Sequence, residues 1–201
     1  PTYILLKPNL LYGDYFFNAD IARAKSDSKN NHWSSTKNKQ ILKKDLRLYK
    51  EIKLDILAFG AHPDDIELGC GGTIAKEIYN GKKVGIIDLT RGELGTRGDV
   101  KTRDVEAENA SKILGVEIRE NLNFRDGFFL NDETHQLEII KILRKYRPEI
   151  VLCNAEDDRH IDHPKGAKLV SDACFLSGLR KIITKIDDLT QGEWRPKKVY
   201  H

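Results

Sequence analysis

The chain has 201 residues and a net charge of +3, and 39% of its residues are hydrophobic while 32% are charged. This composition is typical of one globular α/β domain with a hydrophobic core, and no apolar stretch approaches the ~20 residues that a membrane-spanning helix needs. Residues 1–51 hold an excess of five positive charges, so the net charge of +3 leaves −2 for residues 52–201. Because the body of the chain is not basic, we expect no nucleic-acid partner, and because it has no long apolar stretch we expect no membrane partner.

The first 51 residues differ from the rest of the chain. The stretch "AKSDSKNNHWSSTKNKQ" is polar and aperiodic, which predicts a leader or tail of uncertain structure at 1–51 and a domain at 52–201. The closing "EWRPKKVYH" reads as a turn followed by the opening of a strand, so we expect a C-terminal truncation. Cys70, Cys153 and Cys174 form no C-x-x-C pair, and free thiols favour a cytoplasmic location.

Strands and helices alternate from residue 53 onward. Apolar runs predict strands at Leu54–Gly60, Val84–Leu89, Val116–Phe124 and 149–154. Helical spacing and stop signals predict helices over Thr73–Asn80, from Lys101 to Leu114, over Asp132–Tyr146 and from Pro164 to Ser177. This alternation predicts an α/β fold, a Rossmann-like three-layer sandwich with a mainly parallel, doubly wound sheet. In the order 3-2-1-4, the strand order reverses between the first and fourth strands, where such sheets bind ligands.

Both strands beside this reversal lead into polar clusters. In "HPDD", His62 and Asp65 share a face if the chain makes one helical turn, whereas Asp64 points elsewhere. In "RHIDH", His160 and His163 are also three residues apart. Two histidines and one carboxylate with an open fourth position are typical of hydrolytic zinc, and the spacing leaves open which late histidine is the ligand. Either cluster alone would be a polar turn or a hydrated loop, but their joint placement favours a metal site.

Two glycine-rich segments follow the first and second strands. "GCGG" does not fit the dinucleotide-binding fingerprint, because Gly69 and Gly71 would need a third glycine where Ile74 stands. We expect these glycines to permit close packing at a helix start, and Cys70 to pack rather than bind metal. In "RGELGTRG", Arg97 either binds a substrate carboxylate or is solvated on a mobile loop.

The two polar motifs together resemble a known family. "AHPDDIELGCGG" with the later "HIDH" resembles the LmbE/PIG-L zinc-dependent deacetylases, which remove the acetyl group from N-acetylglucosamine-type amides. "DLTRGELGTRG" and "FRDGFF" resemble the branch that deacetylates N-acetylglucosaminyl-malate in bacillithiol biosynthesis. The likeness runs from Lys53 to the end of the chain, and family members begin just before the first strand, so the leader is extra.

The resemblance implies a hydrolase with Zn²⁺ as cofactor, Fe²⁺ being the alternative metal. It implies that His62, Asp65 and His163 bind the zinc ion, which decides between the two late histidines. It also implies that Asp64 is the general base that takes a proton from the zinc-bound water. The implied partner is a small-molecule N-acetylglucosamine conjugate, and a homo-oligomer is compatible with the sequence.

The remaining implied roles concern the oxyanion and the substrate. His160 would stabilise the tetrahedral oxyanion or protonate the leaving amine, with Asp162 orienting its ring, and Arg97 would bind the malate carboxylate. Because the chain is expected to be truncated, the alternative is a catalytically incompetent fragment, or a metal- or sugar-binding module of such an enzyme. A nucleotide-binding α/β protein, which would hold phosphate at "GCGG" without zinc, is disfavoured.

Overall fold

The computed structural model of the chain describes residues 52–96 and 98–201. The predicted leader at 1–51 and the predicted substrate-binding Arg97 therefore lie outside the described residues. The strands are β1 Ile56–Gly60, β2 Val84–Thr90, β3 Ile118–Phe124, β4 Ile150–Cys153, β5 Lys185–Ile186, β6 Leu189–Thr190 and β7 Lys198–Tyr200. The helices are α1 Asp65–Tyr79, α2 Val100–Leu114, α3 Glu133–Tyr146 and α4 Asp162–Leu176.

Five of the strands form one parallel sheet in the order β3-β2-β1-β4-β7. This order confirms the α/β fold class and places the reversal between β1 and β4. Phe59 of β1 pairs with Cys153 of β4, so both strands end at the same edge of the sheet. The short strands β5 and β6 pair separately as an antiparallel hairpin. No helix in the described part of the chain is long and apolar enough to cross a bilayer.

The core lies on both faces of this sheet, because successive side chains of a strand point to opposite faces. Leu57 and Phe59 of β1 belong to a cluster that also contains Leu143 of α3 and Leu169 of α4. The intervening Ile56 and Ala58 pack in a second cluster with Ile66 and Ile74 of α1. Helix α2 contributes Leu114 to this second cluster but has no fully buried residue. The face of the sheet that packs against α1 and α2 is therefore less well buried than the opposite face.

Helix α1 begins earlier than the sequence predicts. It starts at Asp65 rather than Thr73 and contains one non-helical residue, Cys70, with φ −143° and ψ 17°. The expected close packing of the glycines is wrong, because a Cβ placed on Gly69 or Gly72 meets no atom within 4 Å. Helix α4 likewise begins at Asp162, two residues before Pro164. Helix α2 does end at Leu114 as predicted, and Gly115 caps it in the left-handed conformation at φ 77°.

A buried ionic cluster joins the sheet to the two helices α1 and α2. Arg119 of β3 donates two hydrogen bonds to the Asp88 carboxylate, from Nε at 2.7 Å and from Nη2 at 2.9 Å. Its Nη1 donates to Glu67 of α1 and to the Ala107 carbonyl oxygen of α2. Only 8% of the Arg119 side chain and 3% of the Asp88 side chain are exposed. Burial raises the pKa of Asp88 to about 6, although the hydrogen bonds and charge of Arg119 oppose this shift.

A second buried arginine fixes the segment that follows α4. Arg144 of α3 donates to the carbonyl oxygens of Ser177, Leu179 and Ile182 at 2.7 to 3.0 Å. It also donates to the Thr184 hydroxyl at 2.8 Å. Ser177 and Thr184 are buried, so these contacts replace hydrogen bonds that water cannot supply.

Candidate metal centre

The loops after β1 and β4 are joined by an asparagine. Asn154, directly after β4, accepts a hydrogen bond from the Ala61 backbone N–H through Oδ1 at 2.9 Å. Its Nδ2 donates to Asp65 Oδ2, also at 2.9 Å. One side chain therefore fixes the start of α1 against the end of β4. Asn154 was not expected at this site, because its place at a strand end is the only indication in the sequence.

Three histidines meet between these loops. The ring centroid of His62 lies 4.7 Å from that of His160 and 5.5 Å from that of His163. The rings of His160 and His163 are 4.9 Å apart. One nitrogen from each ring lies within 4.8 Å of the other two. Residues about 100 positions apart in sequence thus share one small volume.

Asp65 lies between two of these rings. Its Oδ2 is 3.6 Å from His62 Nδ1, and its Oδ1 is 3.3 Å from His163 Nε2. Burial raises the pKa of Asp65, but hydrogen bonds from His62 and Asn154 outweigh that effect and lower it to about 2. Asp65 is therefore ionised across the physiological range and can attract a cation between the rings.

The other nitrogen of His62 faces two buried carboxylates. Nε2 is 3.1 Å from Asp126 Oδ1 and 3.4 Å from Asp162 Oδ2. Burial lowers the pKa of His62, but the hydrogen bond to Asp65 and the charges of the three carboxylates raise it to about 9. The surroundings of His62 thus strongly favour positive charge.

His62, Asp126 and Asp162 form a second group of donors close enough to hold an ion. These carboxylates already accept other hydrogen bonds, however. Asp126 Oδ2 accepts from the Leu94 N–H at 2.9 Å, and Asp162 Oδ2 accepts from the Gly127 N–H at 2.7 Å. The side of His62 that faces Asp65 adds a second imidazole, that of His163, and two histidines with one carboxylate are typical of a zinc site, so this side is the better place for a cation.

Asp162 does not contact His160 in the way that the resemblance implies. Its buried carboxylate accepts hydrogen bonds from the Lys165 ammonium at 2.9 Å and from the Gly127 N–H at 2.7 Å. Instead the backbone N–H of Asp162 donates to His160 Nδ1 at 3.4 Å. A backbone donor at Nδ1 leaves the proton of a neutral His160 on Nε2.

His163 also has a carboxylate on its outer nitrogen. Asp158 Oδ2 lies 3.0 Å from His163 Nδ1, while Nε2 faces Asp65. Histidines that bind metal usually donate their second N–H to a carboxylate or carbonyl oxygen, which fixes the ring. Asp158 lies just before "RHIDH", but the sequence spacing does not indicate its contact.

Asp64 immediately precedes α1 in a backbone conformation that residues other than glycine rarely adopt, with φ 151° and ψ −21°. Burial and the neighbouring charge of Asp65 raise the pKa of its carboxyl group, which suits a proton acceptor. Asp64 lines a cleft of about 310 Å³ together with Glu67, Arg103 and Glu106. Among the described residues, Arg103 is the arginine that lines this cleft. The sequence did not indicate Arg103 as a site residue.

The donor atoms of this site fit a zinc ion. Imidazole nitrogen and carboxylate oxygen are zinc ligands, and His62, Asp65 and His163 present both within a few ångströms. His160 is the more exposed of the late histidines, and its Nδ1 is already engaged with the backbone. The acidic surroundings that raise the pKa of His62 would equally stabilise a bound dication.

Residues 57–174 match the PIG-L family, described as GlcNAc-PI de-N-acetylase. This match covers more than half of the chain. The chain belongs to the PIG-L family. It is therefore related to proteins described as de-N-acetylases, as the motifs predict.

Several relatives of this PIG-L family chain are known. It is 44% identical over 114 residues to the uncharacterized deacetylase YaiS of Escherichia coli K12, a match that covers 54% of this chain and 61% of the relative. It is 33% identical over 134 residues to the diacetylchitobiose deacetylase of Thermococcus kodakarensis, covering 62% of this chain and 50% of the relative. The chain thus spans between half and two thirds of the length of these two relatives.

A solved structure shares the fold of this PIG-L family chain. The crystal structure of the conserved protein TT1542 from Thermus thermophilus superposes with a TM-score of 0.67 at 40% sequence identity. The match covers 73% of this chain and 65% of that chain. The parallel sheet and its reversal between β1 and β4 are thus part of a shared fold.

Proposed function

We propose that the chain forms the catalytic part of a zinc-dependent amidohydrolase that removes the N-acetyl group from an N-acetylglucosamine conjugate. The observation that carries the proposal is the meeting of the two loops, with Asp65 lying between His62 and His163. Membership of the PIG-L family and the likeness to two deacetylases support the reaction class.

His62, Asp65 and His163 would hold the zinc ion in this proposal. When bound at such a site, zinc polarises a carbonyl oxygen and lowers the pKa of water to ~7. His62 and Asp65 follow β1 closely, and His163 lies at the start of α4, which follows the neighbouring strand β4, so the order of the strands brings the three side chains together. Asn154 supports this arrangement, because it hydrogen-bonds both Asp65 and the backbone of Ala61.

Asp64 would act as the general base. Its Oδ atoms take a proton from the attacking water as the oxygen bonds to the acetyl carbon. That proton then passes to the nitrogen of the leaving amine as the C–N bond breaks, giving acetate and a glucosamine amine. The raised pKa of Asp64 favours both steps, because a base works best when its pKa is near the operating pH.

His160 would stabilise the oxygen of the tetrahedral intermediate. Because its Nδ1 accepts the backbone N–H of Asp162, the Nε2–H is free to donate to the developing oxyanion. Such a donor contributes most when it is held in place before the reaction. Asp162 acts here through its backbone, while its carboxylate is directed toward Lys165 and His62.

The substrate we propose is N-acetylglucosaminyl-malate, the substrate in bacillithiol biosynthesis, with Arg97 binding the malate carboxylate. This finer assignment rests on the resemblance of "DLTRGELGTRG" and "FRDGFF". The cleft beside Asp64 contains one guanidinium, that of Arg103, and two carboxylates, those of Glu67 and Glu106. Arg103 is thus a second cation that an anionic substituent of the sugar could meet.

Acetate release from the 201-residue chain tests the proposal. We expect release from N-acetylglucosaminyl-malate to exceed that from N-acetylglucosamine and from diacetylchitobiose, to stop on dialysis against a chelator, and to return on addition of Zn²⁺. Preferred cleavage of diacetylchitobiose would keep the reaction and overturn the malate conjugate. Bound zinc with no acetate released from any of the three would favour the alternative, a metal- or sugar-binding module without turnover.

A further inference from the structure

The two nitrogens of the His62 ring have different surroundings. Nδ1 faces Asp65 at 3.6 Å, on the side of His163. Nε2 lies 3.1 Å from Asp126 Oδ1, and both side chains are buried. A neutral imidazole carries its proton on one nitrogen only, and the other nitrogen is then free to bind a metal. The partner of Nε2 therefore decides which nitrogen of His62 is available.

We propose that Asp126 is a positioning residue that holds the proton of His62 on Nε2 and so directs Nδ1 toward the metal. This inference rests on the proposed function, because it concerns a residue behind a proposed ligand. An ionised carboxylate can only accept hydrogen bonds, so its contact at 3.1 Å requires the N–H on Nε2. The same contact prevents rotation of a ring that is buried among carboxylates.

Asp126 suits this role better than the neighbouring Asp162. Asp162 Oδ2 lies 3.4 Å from His62 Nε2 and already accepts the Gly127 N–H, while its Oδ1 accepts from Lys165. Asp126 Oδ1 is closer to His62 Nε2, at 3.1 Å. The Leu94 N–H donates to the other oxygen of Asp126, Oδ2. Asp162 therefore adds negative charge beside His62, whereas Asp126 supplies the directed hydrogen bond.

Asp126 also connects His62 to the loop between β2 and α2. Its Oδ2 accepts the Leu94 N–H at 2.9 Å, and its own N–H donates to Glu93 Oε1 at 2.8 Å. The carboxylate thus uses one oxygen for the ring and the other for the loop backbone. An asparagine at this position has a single oxygen and can satisfy one of these donors, but not both.

Zinc affinity of the variant Asp126→Asn tests the assignment. Metal-free protein is titrated with Zn²⁺ in competition with a coloured chelator, and the Co²⁺-loaded protein is compared by its visible absorption. We expect Asp126→Asn to bind Zn²⁺ about 10- to 100-fold more weakly, as is typical for such outer carboxylates, and to shift the Co²⁺ bands. We also expect faster exchange of the Leu94 amide proton in the variant.

Asp132→Asn is the matched control. Asp132 also contacts an imidazole, His135 Nδ1 at 2.7 Å, but at the start of α3 and away from the proposed ligands. This variant is expected to keep the Zn²⁺ affinity and the Co²⁺ spectrum of the wild type. A folded Asp126→Asn protein with unchanged affinity and spectrum would overturn the inference and leave the proposed function standing.

A measurement on the wild type covers the case in which Asp126→Asn does not fold. In protein loaded with ¹¹³Cd²⁺ and labelled with ¹⁵N-histidine, we expect cadmium coupling to His62 Nδ1 and a proton on Nε2. Coupling to Nε2 would overturn the inference even if the enzyme releases acetate. A wild type that binds neither Zn²⁺ nor Cd²⁺ would overturn the proposed function and this inference together.

Discussion

Replacement of Arg119 by methionine tests the buried ionic cluster that joins β3, β2, α1 and α2. The variant Arg119→Met keeps an unbranched apolar stem but removes every donor from the Asp88 and Glu67 carboxylates. Asp88 is almost fully buried, so water cannot replace the two hydrogen bonds that it loses. Glu67 would also lose its hydrogen bond from Arg119. Its other oxygen, Oε2, is buried and has no hydrogen-bond partner among the described residues.

The size of the effect follows from this burial. Removing one member of a buried ion pair costs about 3–5 kcal/mol, because an uncompensated charge remains. Asp88 can reduce this cost by taking up a proton, which from its folded-state pKa of about 6 costs about 2 kcal/mol at pH 7.5, at ~1.4 kcal/mol per pH unit, and the Glu67 carboxylate loses its donor as well. We therefore expect Arg119→Met to lower the free energy of unfolding by about 3–5 kcal/mol.

The loss of stability in Arg119→Met depends on pH. The pKa of Asp88 is raised in the folded protein, so its contribution to stability is fully present below pH 3.8 and is lost as the pH rises through about 6. Without Arg119 the pKa of Asp88 rises further, and the loss continues to higher pH. The stability difference between wild type and variant should therefore widen from pH 6 to pH 8.

Urea unfolding followed by circular dichroism measures both quantities. Arg180→Met is the control, because Arg180 also pairs with a carboxylate, Glu193 at 2.8 Å, but 85% of its side chain is exposed. Exposed pairs contribute about 0–1 kcal/mol, so this variant should stay close to the wild type. A loss below about 1 kcal/mol for Arg119→Met, or a difference that narrows as the pH rises, would refute the reasoning.

Three further predictions concern single residues. Asp64→Asn should keep the zinc affinity of the wild type but lower turnover by ~10²–10⁴, the usual contribution of a general base. Steady-state acetate release measures this change, and a near-normal rate with metal bound would exclude Asp64 as the base. Arg144→Met should lower the free energy of unfolding by about 2–5 kcal/mol, since the buried Thr184 hydroxyl would lose the donor that Arg144 supplies and three backbone carbonyl oxygens would each lose one donor. A urea midpoint equal to the wild type would contradict it. Gly115→Ala should cost about 1–2 kcal/mol because of its left-handed conformation, which thermal unfolding can detect, and an unchanged Tm would show that the helix end relaxes.

The sheet topology could be predicted from the sequence because its strands are apolar runs separated by clear helical patterns. Ile56–Gly60 and Val84–Thr90 are buried throughout, and such strands can be identified without reference to the rest of the fold. The start of α1 could not be predicted in this way. Three glycines close together are typical of a turn, yet here the helix continues across them with one interruption at Cys70.

The candidate site was predictable only where its residues share a motif. His62, Asp65 and His163 lie in two polar clusters that follow neighbouring strands, so the topology indicates that the two clusters meet, although only the family resemblance selects His163 over His160. Asp126 lies 64 residues from His62 in sequence, and no spacing rule connects them. Its contact depends on the path of the loop after β3, which tertiary packing determines.

The backbone of Asp64 ties two properties of the protein to one position. A glycine would adopt its φ of 151° with far less strain, but a glycine has no carboxylate to accept a proton. With Asp64 in the proposed role of general base, selection for a more stable fold and selection for faster turnover would favour different residues at this position. Engineering for heat resistance should accordingly begin at other positions, and a relative with glycine here would be a candidate for a family member that binds its sugar without cleaving it.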